Sequence, residues 1–255
     1  MINALRVDIR RYLMTKSFLL FALFVAVAQP VFMRLIMMGF GISMHLGASV
    51  DLNEFSVYSS MASIYLAVLV TMFLHAEAGE GIIRNKMISG KKRHEILLSY
   101  CTVNAALAAI LQSISVLATV CVGFCTGSTF DVAMEEVVRF TGISILAGVA
   151  ISIFYTVLYL CFCTTKAAAA LPAVVAIIMK LVLVFVMDAL YTTSGVPKVT
   201  GTALQVYRCF DRYVAFSHLT GEPRWDNMSY LVGNMVVIVI SLVVGILVFR
   251  KKDMK

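Results

Sequence analysis

Long stretches of the chain contain no charged residue, and this feature constrains the fold more than any other. The hydrocarbon core of a bilayer is about 30 Å thick, so a helix that crosses it needs about 20 apolar residues. Six stretches approach or exceed this length, and Lys180 interrupts only the fifth. The stretches are residues 17–33, 58–74, 96–130, 140–165, 167–188 and 227–249. This pattern predicts an all-α integral membrane protein with six transmembrane helices.

The composition agrees with a membrane protein. Of the 255 residues, 61% are hydrophobic and 14% are charged, whereas soluble domains average about 45–50% and about 25%. A soluble enzyme and a disordered tail are therefore excluded. The six cysteines lie mostly in apolar stretches and form no CxxC pair, so neither a disulfide framework nor a zinc site is predicted.

We interpret residues 1–255 as one transmembrane domain. Its predicted spans are residues 17–38, 58–78, 99–126, 138–164, 167–190 and 228–249. Residues 1–16 have apolar positions at helical spacing beside several arginines, which predicts an amphipathic helix in the membrane interface. A solvated basic leader is the alternative interpretation.

The distribution of cations predicts the orientation. With six spans, both termini lie on the same side of the membrane. Most of the 21 Lys and Arg residues fall on that side, in the leader, the 77–95 loop and the C-terminal tail. By the positive-inside rule, these parts are cytoplasmic. We therefore expect a multi-pass protein of the bacterial cell membrane with cytoplasmic termini, and residues 191–226 form the longest segment outside.

Lys180 is an exception inside the fifth span. A charge near the middle of the membrane costs about 2.5–3.5 kcal/mol on insertion scales, so Lys180 should face protein or water. It either lines a substrate path or a subunit interface, or it snorkels or pairs for structural reasons. Asp188 is too distant for a direct pair unless the helix deforms, because eight residues of helix span about 12 Å.

The loop between the second and third spans predicts one short helix over residues 79–90. Glu80 favours the positive N-terminal end of a helix, and Gly90 suits the left-handed residue after its last turn. The helix has an apolar flank, which Ile88 could extend, and a polar flank. The apolar flank contains Ile82, Ile83 and Met87. The polar flank contains Arg84, Asn85 and Lys86. An exposed helix of this kind is suited to contact another protein, although a solvated basic connector would have a similar composition.

The chain contains no phosphate-binding loop of the form G-x-x-x-x-G-K-[ST], since residues 89–92 lack the upstream glycine and the hydroxyl residue. If the protein moves a solute by using ATP, the ATPase must be another chain. We therefore do not predict an enzyme.

Taken together, these features resemble the permease subunits of type-2 ABC transporters, especially the small six-span exporters of Gram-positive bacteria (type V exporter-like). The resemblance covers the number, spacing and orientation of the spans. It also rests on the basic leader, on the 77–96 loop and on the C-terminal end. The matching residues are Glu77, Gly81-Ile82-Ile83-Arg84-Asn85-Lys86, Ser89-Gly90, Arg93 and Ile96, and then Gly245 and Phe249-Arg250-Lys251-Lys252-Asp253.

The resemblance implies two paired permeases, identical or paralogous, in contact with membrane lipids and with cytoplasmic ABC ATPases that bind ATP and Mg. This chain would bind no cofactor, metal or nucleic acid. The 79–90 helix would be the coupling helix, and Glu77 would brace the second span against the leader. The implied coupling residues are Glu77, Glu80, Gly81, Ile82, Ile83, Arg84, Asn85, Lys86 and Met87.

The family also implies an alternating-access mechanism in which the second and fifth spans line the substrate path. That path would include Tyr65, Met72, Lys180 and Phe185. A peptide, a drug or a lipid-like molecule could be the substrate, and resistance to antimicrobial peptides is the role that the family favours.

The sequence bears on three other functional classes. A secondary transporter or channel without an ATPase is the main alternative, and a structural or assembly protein is another. An intramembrane peptidase is the third, since some membrane proteases carry E-E-x-x-x-R, but Glu135, Glu136 and Arg139 are one residue short of that spacing. A surface ion pair between Glu135 and Arg139, four residues apart on a helix, explains this pattern better.

Overall fold

The chain folds into helices that are long enough to cross a membrane. The computed structural model describes residues 9–28, 30–31, 59–125, 133–162, 168–191, 196–220 and 224–251. Within these ranges every regular element is helical, and five helices have the length and apolar composition of membrane spans. The protein is therefore an all-α, multi-pass membrane protein, as the sequence predicts.

The helices are named α1 to α8 in chain order. They are α1 Lys16–Leu23, α2 Ala62–Gly79, α3 Ile82–Ile88, α4 Arg93–Cys125, α5 Met134–Phe162, α6 Leu171–Leu190, α7 Gly201–Tyr213 and α8 Asn227–Lys251. A π-helical turn, Phe24–Ala28, continues α1, and short 3₁₀ turns occupy Ala168–Ala170 and Ser217–Leu219. The five candidate spans are α2, α4, α5, α6 and α8.

The five spans run in alternating directions. The side chains of Tyr65 and Gln112 meet between α2 and α4, and Glu77 meets Tyr100 nearer the end of α2, so these helices are antiparallel. Arg93 at the start of α4 contacts the carbonyl of Phe249 near the end of α8. We call the end where α2, α5 and α8 finish the Glu77 end, and the opposite end the Asp211 end.

The α5 helix lies at the centre of the bundle. In its most apolar window 67% of the residues are buried, compared with 22% for α6 and for α8. It packs against α2, α4 and α8. Hydrogen bonds between polar side chains join these spans, such as that from the Asn104 amide to the Thr156 hydroxyl at 2.9 Å. Such bonds are typical of helix interfaces in membranes.

Only part of the first predicted span can be compared with the structure. The hydroxyl of Thr15 accepts a hydrogen bond from the backbone N–H of Phe18, which caps α1. The apolar helix that follows, Lys16–Val27, is shorter than a membrane span. Residues 32–38, which complete the predicted span, lie outside the described residues, as do residues 1–8 of the predicted interfacial helix.

In the predicted outer segment, residues 191–226, the described part contains α7 and the 3₁₀ turn Ser217–Leu219. Both elements fall within residues 201–219. Residues 192–195 and 221–223 of this segment lie outside the described residues.

Candidate functional site

Two glycines position the short helix α3 between the ends of α2 and α4. Gly81 precedes α3 with φ of 69°, and Gly90 follows it with φ of 86°. Residues with a Cβ atom rarely adopt this left-handed conformation, so glycine permits both sharp turns. The helix α3, Ile82–Ile88, lies within the predicted 79–90 segment, and Gly90 occupies the left-handed position that the sequence predicts.

A buried carboxylate joins three parts of the chain at this end. Glu77, on the last turn of α2, is 2% exposed. One of its oxygens accepts a hydrogen bond from the Arg11 guanidinium, and the other accepts one from the Tyr100 hydroxyl. The Lys86 ammonium lies 3.6 Å from the second oxygen. We call these four residues the Glu77 cluster.

The aromatic ring of Tyr100 completes the Glu77 cluster. The Lys86 ammonium donates a hydrogen bond to the Tyr100 hydroxyl at 3.2 Å and lies 4.4 Å from the centre of the ring. It therefore has a cation–π contact as well as an ionic one. Burial of a carboxylate is tolerated only when charge and hydrogen bonds compensate for lost water, and this cluster supplies both.

Apolar contacts reinforce the attachment of the N-terminal segment. The ring of Tyr12 packs edge-on against Phe73 of α2, with 4.8 Å between the centroids. Both side chains are buried. Residues 11 and 12 are therefore held against α2 through one ionic contact and one aromatic contact. The partner of Glu77 thus lies in the N-terminal leader, as the family resemblance implies.

The exposed surface of α3 differs from the expected coupling surface. Ile83 is only 6% exposed and packs into the core of the chain, and Met87 packs against that core. Ile88 is 74% exposed. The reason is the orientation that the Glu77–Lys86 contact imposes on α3: it turns the Ile83 side toward α2 and α4 and leaves Ile88 outside.

The remaining expected coupling residues divide into two groups. Those that are accessible from outside are Glu80, Arg84 and Asn85, while Gly81, Ile82 and Lys86 are half-buried. Together with Ile88, the exposed group forms a small surface with one large apolar side chain and both signs of charge. We call Glu80, Arg84, Asn85 and Ile88 the α3 surface.

The four residues of the expected substrate path have different surroundings. Tyr65 is buried and donates to the Gln112 side-chain oxygen at 3.2 Å. Met72 and Phe185 are 43% and 72% exposed, on the outside of α2 and α6. Lys180 is half-buried and donates to the Ser60 carbonyl at 3.3 Å. Of the four, Lys180 is the residue whose polar contact joins α6 to the residues just before α2.

Three charged side chains near the ends of the membrane spans have defined partners. Asp188 pairs with Lys198 at 2.6 Å, so Asp188 and Lys180 serve separate contacts. The predicted pairing of Arg139 with Glu135 is replaced by another. Arg139 instead donates to the Trp225 carbonyl and to the Asn227 side chain, because α5 begins beside the start of α8.

The Asp211 end contains a second buried carboxylate. Asp211, on α7, is 5% exposed. One oxygen accepts hydrogen bonds from the Tyr191 hydroxyl at 2.6 Å and the Trp225 indole N–H at 3.0 Å, and the other accepts one from the Ser217 hydroxyl at 2.6 Å. We call these four residues the Asp211 cluster. Burial and the bond to Asp211 raise the pKa of Tyr191 to about 12.

Beside the Asp211 cluster, His218 connects the 3₁₀ turn to α8. Its Nε2 atom lies 3.1 Å from the Arg212 carbonyl, and its Nδ1 atom lies 3.0 Å from the Asn234 amide nitrogen. A neutral imidazole with its proton on Nε2 satisfies both contacts. Burial lowers the pKa of His218 below its ordinary value.

Sequence reasoning missed the role of Tyr100 and the whole Asp211 cluster. Tyr100 lies seven residues into α4, where the sequence does not distinguish it from the other residues of an apolar span. Asp211 follows Phe210 on an amphipathic helix, where an acidic residue usually faces solvent. One signal was available: Trp225 is the only tryptophan of the chain, and tryptophan commonly finds a hydrogen-bond acceptor when buried.

Comparisons of this chain with protein-family models and with curated proteins found no match.

Proposed function

We propose that this protein is the membrane-spanning permease subunit of an ATP-driven exporter of the type-2 ABC class. In this proposal a separate cytoplasmic ATPase binds ATP and Mg, and this chain, paired with a second permease, moves the substrate outward by alternating access. The protein resides in the bacterial cell membrane with both termini in the cytoplasm. A peptide, a drug or a lipid-like molecule is the cargo.

The observation that carries the proposal is the attachment of α3. The Glu77 cluster links α3 to α2, to α4 and to the N-terminal segment through one carboxylate. A force applied to α3 would therefore reach two membrane spans directly. Among the described residues, all four members of the α3 surface are exposed. These are the properties that a docking element for a force-generating subunit requires.

The distribution of charge supports the proposed orientation. At the Glu77 end the described cations outnumber the carboxylates Glu77, Glu80 and Glu95. These cations are Arg10, Arg11, Lys16, Arg84, Lys86, Lys91, Lys92, Arg93 and Arg250. At the Asp211 end the described cations are balanced by carboxylates. An excess of cations favours the cytoplasmic side of a membrane.

One observation favours the alternative, a secondary transporter or channel without an ATPase. Lys180 lies within a membrane span and bonds to a backbone carbonyl. Intramembrane ionisable groups of this kind also line transporters that couple transport to an ion gradient. The two functions differ in their requirement for ATP, which makes them experimentally separable.

The decisive experiment is reconstitution into vesicles with an ABC ATPase encoded beside this chain. We expect the two proteins to purify together and the permease to stimulate ATP hydrolysis. Ile88→Asp should abolish the stimulation while the permease remains inserted, because Ile88 is the large apolar side chain of the α3 surface. Val196→Asp, at an exposed position near the Asp211 end, is the matched control and should behave like the wild type.

Ile83→Asp distinguishes docking from folding. Because Ile83 is buried, an aspartate there should destabilise the permease itself, whereas Ile88→Asp should not. The proposal fails if the purified chain transports without any ATPase, or if Ile88→Asp stimulates the ATPase as well as the wild type does.

A further inference from the structure

Lys180 lies near the middle of its span. The helix α6 runs from Leu171 to Leu190, so Lys180 is nine residues from one end and ten from the other. At 1.5 Å per residue these distances are about 13 Å and about 15 Å. In a hydrocarbon core of about 30 Å, the backbone of Lys180 therefore lies close to the midplane.

The contact of Lys180 is made where the neighbouring span is irregular. Ser59 and Ser60 are helical, Met61 forms a turn, and α2 begins at Ala62. The ammonium of Lys180 donates to the carbonyl of Ser60 at 3.3 Å. Beside it, the hydroxyl of Ser59 donates to that of Ser144 on α5 at 3.3 Å. Polar groups of α5, of α6 and of the residues just before α2 thus lie close together, and we call this place the Lys180 site.

The positive charge of the Lys180 site is not neutralised by the part of the chain that the structure describes. An ammonium carries three protons, and the Ser60 carbonyl accepts one of them. No carboxylate of the described residues lies within 4 Å of the Lys180 nitrogen, and the next acidic residue on α6, Asp188, is paired with Lys198. A charge at this depth is retained where it meets a pathway or a counter-ion.

The site is also accessible. The side chain of Lys180 is half-buried rather than enclosed, and on α6 its neighbours Ile178, Leu181 and Val184 are exposed and apolar. A molecule with an apolar tail could lie along α6 while its head contacts Lys180. A water-soluble anion has no comparable apolar contact on this surface.

We propose that Lys180 binds the anionic head, a carboxylate or a phosphate, of an amphipathic molecule whose tail lies against α6. The identification of this molecule as the exported substrate rests on the proposed function, but its binding does not. The Lys180 ammonium would form an ion pair with the head, whereas the hydroxyl groups of Ser59 and Ser144 are buried and bonded to each other, so they do not take part.

The test measures binding to the purified chain by native mass spectrometry from a neutral detergent. The probes are dodecyl phosphate, dodecyltrimethylammonium and inorganic phosphate. We expect wild type and Lys180→Arg to bind dodecyl phosphate, and Lys180→Met to bind it at least tenfold more weakly. Lys198→Met removes an exposed cation of the same chain and should leave the affinity unchanged.

Each probe excludes a different explanation. Binding of dodecyltrimethylammonium with equal affinity would mean that the tail alone is recognised. Competition by inorganic phosphate at equal concentration would indicate a free-phosphate site. Either result overturns the proposal, as does undiminished binding of dodecyl phosphate to Lys180→Met.

The same spectra report the oligomeric state. If Lys180→Met changes the proportion of dimer and leaves dodecyl phosphate binding intact, Lys180 belongs to a subunit interface and the proposal is wrong. Lys180→Met removes a charge from a span, which favours membrane insertion, and Lys180→Gln provides a second neutral variant. Because the ATPase is absent from this experiment, loss of binding and loss of ATP coupling are separate results.

Discussion

The two ends of the bundle each bury one carboxylate, but they compensate its charge in different ways. At the Glu77 end two cations, Arg11 and Lys86, supply most of the compensation. At the Asp211 end the direct partners of the carboxylate are neutral: a phenol, an indole and an alcohol. The first arrangement depends on net charge, whereas the second depends on the direction of each hydrogen bond.

This difference suggests different mechanical roles. The cations of the Glu77 cluster come from a segment before α1 and from α3, and ionic attraction acts over a range of distances and angles. The segments can therefore shift relative to one another without losing the attraction. The neutral donors around Asp211 each require good geometry, so they fix α7, Tyr191 and Trp225 in one arrangement.

The largest effect should come from Glu77→Gln. Arg11 and Lys86 can only donate hydrogen bonds, so whichever way the new amide turns, its NH₂ group faces a donor. Removal of one partner from a buried ion pair costs about 3–5 kcal/mol, and the partial exposure of Arg11 places the expected loss near the lower value. The measurement is the free energy of unfolding in mixed micelles.

Glu77→Asp is the control, because it keeps the charge while shortening the side chain. It should retain more stability than Glu77→Gln does. If both variants unfold at the same denaturant concentration as the wild type, ionic compensation does not hold the Glu77 end together, and the contrast between the two ends disappears.

Tyr100→Phe should have an intermediate effect. It removes one donor to Glu77 and one acceptor for Lys86, while the ring beneath the ammonium remains. Loss of a hydrogen bond to a charged group costs about 1.5–3 kcal/mol, and the retained cation–π contact and ion pairs place the expected loss near about 1.5 kcal/mol. The same unfolding measurement checks it.

A Tyr100→Leu variant sharpens this result, because it also removes the ring. It should be less stable than Tyr100→Phe. Equal stabilities of the two variants would show that the aromatic ring contributes nothing to the position of Lys86.

Asp211→Asn should be milder than Glu77→Gln, although it is the same change from carboxylate to amide. The amide oxygen can accept from Tyr191 and Trp225, while the amide NH₂ group donates to the Ser217 hydroxyl, which can accept as well as donate. All three contacts survive in this orientation, and we expect a loss of about 1 kcal/mol. A larger loss than that of Glu77→Gln would contradict the comparison. Asp211→Ala, which removes all three contacts, should be the least stable variant at this position.

The sequence predicted what depends on local pattern. Uncharged length identified the spans α2, α4, α5, α6 and α8, and the combination of Glu80 with Gly90 identified the short helix α3. These features are set by the thickness of a bilayer and by backbone conformation, and both act on consecutive residues.

Contacts between distant residues could not be predicted in this way. The orientation of α3 depends on Tyr100, fourteen positions after Lys86, and the helical pattern alone did not reveal that Ile83 is buried and Ile88 exposed. The Asp211 cluster joins Asp211 to Tyr191 and Trp225, which are 20 and 14 positions away in the sequence. The partner of Lys180 is a backbone carbonyl, which every residue possesses and no sequence pattern marks.

The smallest effect should be a pH dependence at the Asp211 end. Burial lowers the pKa of His218 below 6.5, although its bonds to the Arg212 carbonyl and Asn234, and the charge of Asp211, act in the opposite direction. As the pH falls below 6.5, the unfolded chain binds a proton that the folded chain does not. The stability that His218 contributes is thus present above pH 6.5 and is lost as the pH falls through the lowered pKa.

A replacement of His218 by Gln should remove this component. The amide can still donate to the Arg212 carbonyl and accept from Asn234, but it does not titrate, so the variant should lose less stability than the wild type between pH 7 and pH 5. The measurement is the difference between the free energies of unfolding of the two proteins at each pH. The contributions of the carboxylates that both proteins share cancel in this difference. Parallel pH profiles would mean that protonated His218 is accommodated in the folded protein. In that case the Asp211 end would respond to charge as the Glu77 end does, and the distinction between a charge-dependent end and a geometry-dependent end would fail.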